Sequence, residues 1–291
     1  MRHFRTALLS LAAPVLVAAQ SRTVDRQWPL NPDGAVRIHV LYGTVRVLGW
    51  DKDSVSVTGT VGSGAEFGGG GGRDGVKMFV QGDQAHPAAE ADLLVRVPAR
   101  ARVQVRGAAT AVDVSAVAGA VDVSTTSGRV NIQGTPSQVQ AETLGGDLEV
   151  TASPGWLRGR TATGRITWTG SSEDVAFSTV TGRQTVSAGT VTRARFESID
   201  GDVRFSGGFA RNASLTIDTH SGDVTLALRR DVTAELQVDA VTADLFGSRT
   251  ASGTAGAPRR TIYKSLGSPG LSGPLVVIRS FKGHVTAALQ Q

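Results

Sequence analysis

Three aspartates, Asp202, Asp223 and Asp244, each follow a small residue at near-regular intervals. If those intervals stack, the carboxylates form a column with about 4.8 Å between steps. Paired acids at suitable distances can run acid–base chemistry on a glycosidic bond. Aspartate is also an ordinary turn residue, and a turn alone accounts for all three. The segment "DTHSGDV" brings Asp218, His220 and Ser221 together. A Ser-His-Asp relay needs three groups that converge in space, and neighbours within one turn read as solvated turn residues. His39, His86 and His284 complete the histidines beyond the first twenty residues, and none stands at HxH or HxxxH spacing. Cysteine is absent, which excludes disulfides, thiolate metal sites and a thiol nucleophile. The glycine-aspartate nonapeptide of calcium-binding solenoids is absent too. The expectation is no catalytic residue, no metal site and no cofactor.

The arginines point to binding. Arg158, Arg160, Arg165 and Arg183 fall in adjacent repeats, with Arg195 and Arg129 nearby. Guanidinium groups pair well with carboxylate and phosphate oxygens. These four are candidate contacts for an acidic polysaccharide, a lipopolysaccharide phosphate or a cell-wall polymer. Arg158 and Arg160 are expected on one face, and Arg165 and Arg183 at the edge after the turn. Glu142, Glu173 and Glu197 could balance them as solubilising charge.

The elements that position these groups are written in a repeat: "ETLGGDLEV", "RTATGRITW", "STVTGRQTV", "ESIDGDVRF" and "DTHSGDVTL". A small anchor recurs at Thr110, Gly128, Gly146, Gly164, Gly182, Gly201, Gly222 and Ala243, and again at Gly283. Before each anchor stand alternating apolar pairs such as Val103/Val105, Val121/Val123 and Val175/Phe177; after it stand pairs such as Val112/Val114, Val130/Ile132 and Ile166/Trp168. That alternation is the period of a half-buried strand. Three residues before the anchor runs a hydroxyl column: Thr125, Thr143, Thr161, Thr179, Ser198, Thr219 and Ser280. Its parity turns it inward with the apolar pairs, where it can bond along the stack or to the turn backbone. So short a repeat has little room for helices. The pattern predicts an all-β chain, a parallel β-solenoid (β-helix) of about nine rungs whose core forms only by stacking. An antiparallel sandwich is the alternative, but it would show mirror-related spacing. Gln184 and Gly159 depart from the pattern at inward positions.

Around the repeat the chain divides. Arg2 and Arg5 precede an apolar run from about Ala7 to Ala19, too short to span a bilayer, which needs about 20 residues. Residues 1–19 read as a secretory signal peptide. Its cleavage would lower the net charge from +5 to +3 and leave no transmembrane segment. Residues 20–33 form a lead-in. Residues 34–106 hold N-terminal strands and irregular capping strands, with a flexible glycine-rich loop at 62–75. Residues 107–246 carry the regular repeats, 247–274 a loop insertion, and 275–291 the final rung.

The stretches "GTVRVLGWDKDSVSVTG", "LLVRVPARARVQVRG" and "GAVDVSTTSGRVNIQG" resemble a bacterial putative-adhesin family of unknown function, related to auto-transporter adhesin-like head domains. The likeness covers roughly residues 34–289. It implies an exported β-solenoid and brings no catalytic residues. The expected function is therefore a non-enzymatic, adhesin-like envelope scaffold or binding protein, located in the periplasm, on the outer surface or secreted. A carbohydrate-active β-helix enzyme using the carboxylate column is the alternative. The expected partner is an envelope or extracellular polyanion, or another protein. Export and a low net charge disfavour nucleic acid.

Overall fold

The computed structural model describes residues 21–251, 258–267 and 273–290. The signal-peptide reading at 1–19 lies outside the described residues. The described chain is all-β, with 24 strands and no helix, and hence no helix long and apolar enough to cross a membrane. It enters through β1 (Arg22–Pro29), β2 (Ala35–Val40), β3 (Tyr42–Trp50), β4 (Ser54–Val61), β5 (Ala65–Gly72), β6 (Gly75–Gly82) and β7 (Ala91–Pro98). The regular part supplies β8 (Arg102–Arg106), β9 (Ala109–Ser115), β10 (Ala120–Ser124), β11 (Val130–Gly134), β12 (Gln138–Glu142), β13 (Leu148–Ala152) and β14 (Trp156–Arg160). Three longer strands follow, β15 (Ile166–Thr179), β16 (Gln184–Ser198) and β17 (Val203–Thr219). The chain ends with β18 (Val224–Leu228), β19 (Ala234–Ala240), β20 (Thr242–Leu245), β21 (Ser248–Ala251), β22 (Arg260–Leu266), β23 (Leu275–Ser280) and β24 (His284–Leu289).

Two parallel ladders carry the molecule. One runs β6–β2–β8–β10–β12–β14 and continues through β15, β16 and β17 to β23 and β19. The other runs β7–β3–β9–β11–β13, then through β15, β16 and β17 to β18, β24 and β20. Like positions pair across each step: Val103, Val121, Val139, Leu157 and Val175 follow one another in register. β15 to β17 are long because the second strand of one layer runs on into the first strand of the next. The corner survives as a register shift near Gly170 and Ala188 instead of a break.

The ends depart from sequence order. β2 and β3 lie between β6/β7 and β8/β9. In the same way β23 and β24 lie between the β17/β18 layer and β19/β20, so these two strands, expected as the final rung, are not the last layer in space. Antiparallel strands close both ends: β5 on β6 and β4 on β7 with β1 outside it, then β22 on β19 and β21 on β20. Two sequence expectations are corrected here. The glycine-rich segment 62–75 is not a flexible loop; its residues Ala65–Gly72 form β5, in register with β6. Its missing side chains leave room for rings, since a Cβ on Gly68 would fall 2.3 Å from Phe79 and one on Gly69 3.1 Å from Trp28. The 247–274 insertion likewise contains two strands, β21 and β22, beside its undescribed parts.

The interior is a column of stacked side chains. Trp168, Phe177, Phe196 and Phe205 are almost fully buried and lie in sequence along the axis, with ring centroids 6.0, 5.5 and 6.1 Å apart. Each fully buried residue of this kind contributes about 1.5–3 kcal/mol. Gly159 belongs to this packing, because a Cβ there would sit 2.7 Å from the Phe177 ring. Gln184 is also buried, its amide donating to Thr179 Oγ1 (3.0 Å) and to the Glu197 carbonyl (2.6 Å).

Candidate ligand-binding face

The turn after each first strand is built from the anchor glycine and the hydroxyl column. A Cβ on Gly146, Gly164 or Gly182 would fall 2.0, 1.9 or 1.8 Å from the carbonyl oxygen of the preceding anchor. Glycine is required here for close approach between layers, and these positions have no left-handed φ. The chain of approaches runs Gly201, Gly222, Gly283, which places Gly283 directly after Gly222. All seven column hydroxyls are buried. Thr125, Thr219 and Ser280 donate to the carbonyls of Gly128, Gly222 and Gly283 in their own turns, at 3.0–3.1 Å. Thr143 and Thr161 accept the N–H of Gly146 and Gly164. Thr179 and Ser198 bond to each other between layers at 3.2 Å.

The carboxylates expected to stack do not form one column. Asp202 and Asp223 align, and His284 follows them: Asp202 accepts the Asp223 N–H (3.3 Å) and Asp223 the His284 N–H (2.8 Å). Asp244 instead pairs in register with Thr286, two positions along, because the β19–β20 connection is shorter. It meets the His284 ring at 3.2 Å. These acids are tied to backbone N–H groups and cations, as turn carboxylates are. His220, Asp218 and Ser221 do not converge either. His220 stacks on Phe281 with centroids 5.0 Å apart, Asp218 pairs with Arg279 (3.2 Å), and Ser221 donates to Asp200. Among the described residues no three His, Asp or Glu side chains are placed to hold a metal ion.

The four candidate arginines separate into two places. Arg158 and Arg160 project from β14 on one outer face, while Arg165 and Arg183 follow the turn in adjacent layers. Arg158 stacks over Trp156 (4.8 Å) and pairs with Asp174 at 2.7 Å. Arg183 pairs with Asp202 at 3.2 Å. Arg160 and Arg165 have no side-chain partner among the described residues.

The first ladder's outer face carries the concavity. One shallow cavity of about 620 Å³ runs from Arg37 and Arg102 past Gln104 and Asp122 to Gln140 and Trp156. A second, of about 400 Å³, continues from Gln140 and Trp156 to Arg160, Arg195 and Glu197. Its floor is low because Ala176, in register with the outward Arg158 and Arg195, stands where a larger side chain would fill it. Arg195 is held above its ordinary guanidinium value by the hydrogen bond to Glu197 and by that carboxylate's charge. Counting apolar pairs and arginines in the sequence overlooked Trp156, Gln140, Arg37 and Arg102. Their signal was the outward positions six and eight residues before each anchor, which hold Gln104, Gln140, Arg158, Trp156 and Gln138.

No family model and no curated protein matches the chain. Several solved structures match over most of its length, among them the following. A structure described as a putative cell adhesion protein from Clostridium sporogenes is 8% identical, covers 92% of this chain and 100% of its own, and has a TM-score of 0.23. A structure described as a putative adhesin from Bacteroides fragilis is 10% identical, with coverage of 92% and 97% and a TM-score of 0.41. One described as a putative adhesin from Parabacteroides merdae is 9% identical, with coverage of 91% and 96% and a TM-score of 0.38.

Proposed function

We propose that this chain is an exported, non-enzymatic parallel β-solenoid that acts as an adhesin-like binding or scaffold protein of the cell envelope. The observation that carries the reading is the pair of continuous parallel ladders, which presents long outer faces while its turn acids are engaged. A stacked repeat builds an extended surface without an enclosed catalytic pocket. The adhesin-type reading also rests on the sequence resemblance, and export on the charged and apolar residues 1–19. The displacement of Asp244 from Asp202 and Asp223, and the backbone N–H bonds that those two accept, favour the binding reading over the carboxylate-column enzyme.

Fractionation with mass spectrometry tests this reading. The mature N-terminus should fall near Gln20, in the extracytoplasmic or envelope fraction, and incubation with acidic polysaccharide should release no new ends. A full-length cytoplasmic chain would overturn export, and steady product formation would overturn the non-enzymatic role.

A further inference from the structure

The groove of the first ladder holds an imbalance between its carboxylates and its arginines. Each of its carboxylates has a side-chain partner: Asp74 with Asn31 (3.1 Å), Asp122 with Arg106 (2.8 Å), Glu142 with Gln140 (3.3 Å) and Glu197 with Arg195 (2.5 Å). Three of its arginines have none among the described residues: Arg37 and Arg102 at one end, Arg160 at the other. Between them lie Trp156, half-buried and shared by both cavities, and the amides of Gln138 and Gln140. The strands crossed are β2, β8, β10, β12, β14, β15 and β16, each step about 4.8 Å from the next.

We infer that this groove binds a linear acidic polysaccharide, a polymer of hexuronic acids, lying along the stack and across the strands. This rests on the proposed envelope-binding role and names its ligand class. A polymer with a short repeat suits a surface whose own repeat is one strand. The unpaired guanidinium groups supply charge-assisted bonds to sugar carboxylates. The glutamine amides offer both donor and acceptor to hydroxyls. Trp156 supplies an apolar ring for the face of a sugar, with its other contact taken by Arg158. A polyphosphate would satisfy the arginines but leave the indole and the amides without a role.

Isothermal titration calorimetry with a polygalacturonate oligosaccharide tests this, alongside its methyl-esterified form and inorganic polyphosphate. The wild-type protein should bind polygalacturonate, and the ester and polyphosphate more weakly. Trp156→Ala should weaken binding by about tenfold or more, as loss of a central aromatic contact does, and Trp156→Phe should recover most of it. Arg160→Gln and the double change Arg37→Gln with Arg102→Gln should each weaken it by about threefold to tenfold. Arg204→Gln, on the exposed face of the second ladder, should not. Thermal melts confirm that each variant folds. Equal losses from Arg204→Gln, or a Trp156→Ala variant that binds as wild type, would overturn the groove in favour of diffuse charge. Absence of binding by the folded wild type would overturn the ligand class. If that same protein is still retained in the envelope fraction, the broader adhesin-like reading survives.

Discussion

From β8 to β18 each layer rests on the layer that precedes it in sequence, whereas at both ends the chain doubles back. β2/β3 and β23/β24 slot between layers that follow one another in sequence, and antiparallel strands then cover what is left open. The middle is held by backbone: glycine turns in near contact, buried hydroxyls and a continuous aromatic column. The ends are held by local devices instead, such as the ring of Trp28 against Phe67 (6.5 Å) and the Asp83–His86 loop. Exposed sheet edges invite association with other chains, and a repeat cannot end itself without covering them. The covering strands therefore need not repeat, and they do not.

The largest expected difference between middle and ends comes from deleting an aromatic. Phe196→Ala opens a cavity between Phe177 and Phe205 and should cost about 3–5 kcal/mol. Phe67→Ala removes a partly buried ring of β5 that packs against the core at one end and should cost clearly less. Urea unfolding of both variants measures the contrast; an unchanged midpoint for Phe196→Ala would contradict the register.

Glycine substitutions sharpen the contrast at a smaller scale. A Cβ at Gly164 would lie 1.9 Å from the Gly146 carbonyl oxygen, while one at Gly70 on β5 would meet nothing within 4 Å. Gly164→Ala forces two layers apart and should cost about 1–3 kcal/mol. Gly70→Ala should stay within about 0.5 kcal/mol of wild type. The same unfolding experiment reads both, and equal costs would mean that the turn glycines are not there for close approach.

These pairs also show where sequence reading succeeds. Valine at every second position and a hydroxyl three before the anchor are fixed by contacts to the neighbouring layer, and the layers of the middle are adjacent in sequence. The apolar pairs, the buried hydroxyls and the placement of Arg158 and Arg160 could be read for that reason. Asp244 was misplaced because the β19–β20 connection loses two positions, and the inserted β23/β24 hides the true neighbour of Asp223. The β5 strand reads as a loop in sequence because glycine carries no pattern; the rings that lie over it, Phe79 and Trp28, belong to other strands. The groove is hard to see in sequence because it depends on an outward residue that is small, Ala176, as much as on what is charged.

Within the middle, a hydroxyl should matter more than a surface charge. Thr161 is buried, accepts the Gly164 N–H (3.1 Å) and lies 3.3 Å from the Gly146 carbonyl oxygen. Thr161→Val keeps the shape and leaves a buried N–H unpaired, which should cost about 1–3 kcal/mol. Arg129 pairs with Glu149 on the exposed face of the second ladder, and Arg129→Gln should cost less than about 1 kcal/mol, the range of exposed ion pairs. A reversal of this order in thermal melts would mean that the outer charge ladder, not the turn hydroxyls, stiffens the stack.

The smallest effect belongs to an end. The Asp83 carboxylate accepts the His86 N–H at 2.7 Å and faces the His86 ring at 3.1 Å. Chiefly through that backbone bond, Asp83 is held below the ordinary aspartate value. A carboxyl whose folded value is depressed binds its proton less readily in the folded chain than in the unfolded one. Its stabilising contribution is thus complete above the ordinary aspartate value and is lost as pH falls through the lower, folded value. Because Asp83 is exposed, the loss should stay local. In an NMR titration, the His86 amide resonance should move with an apparent midpoint below the ordinary aspartate value, while the Phe196 amide stays still. Asp83→Asn should abolish that movement and leave the global melting temperature unchanged. A Phe196 amide that moves together with His86 would show instead that the end loop and the central column unfold as one unit, erasing the distinction between them.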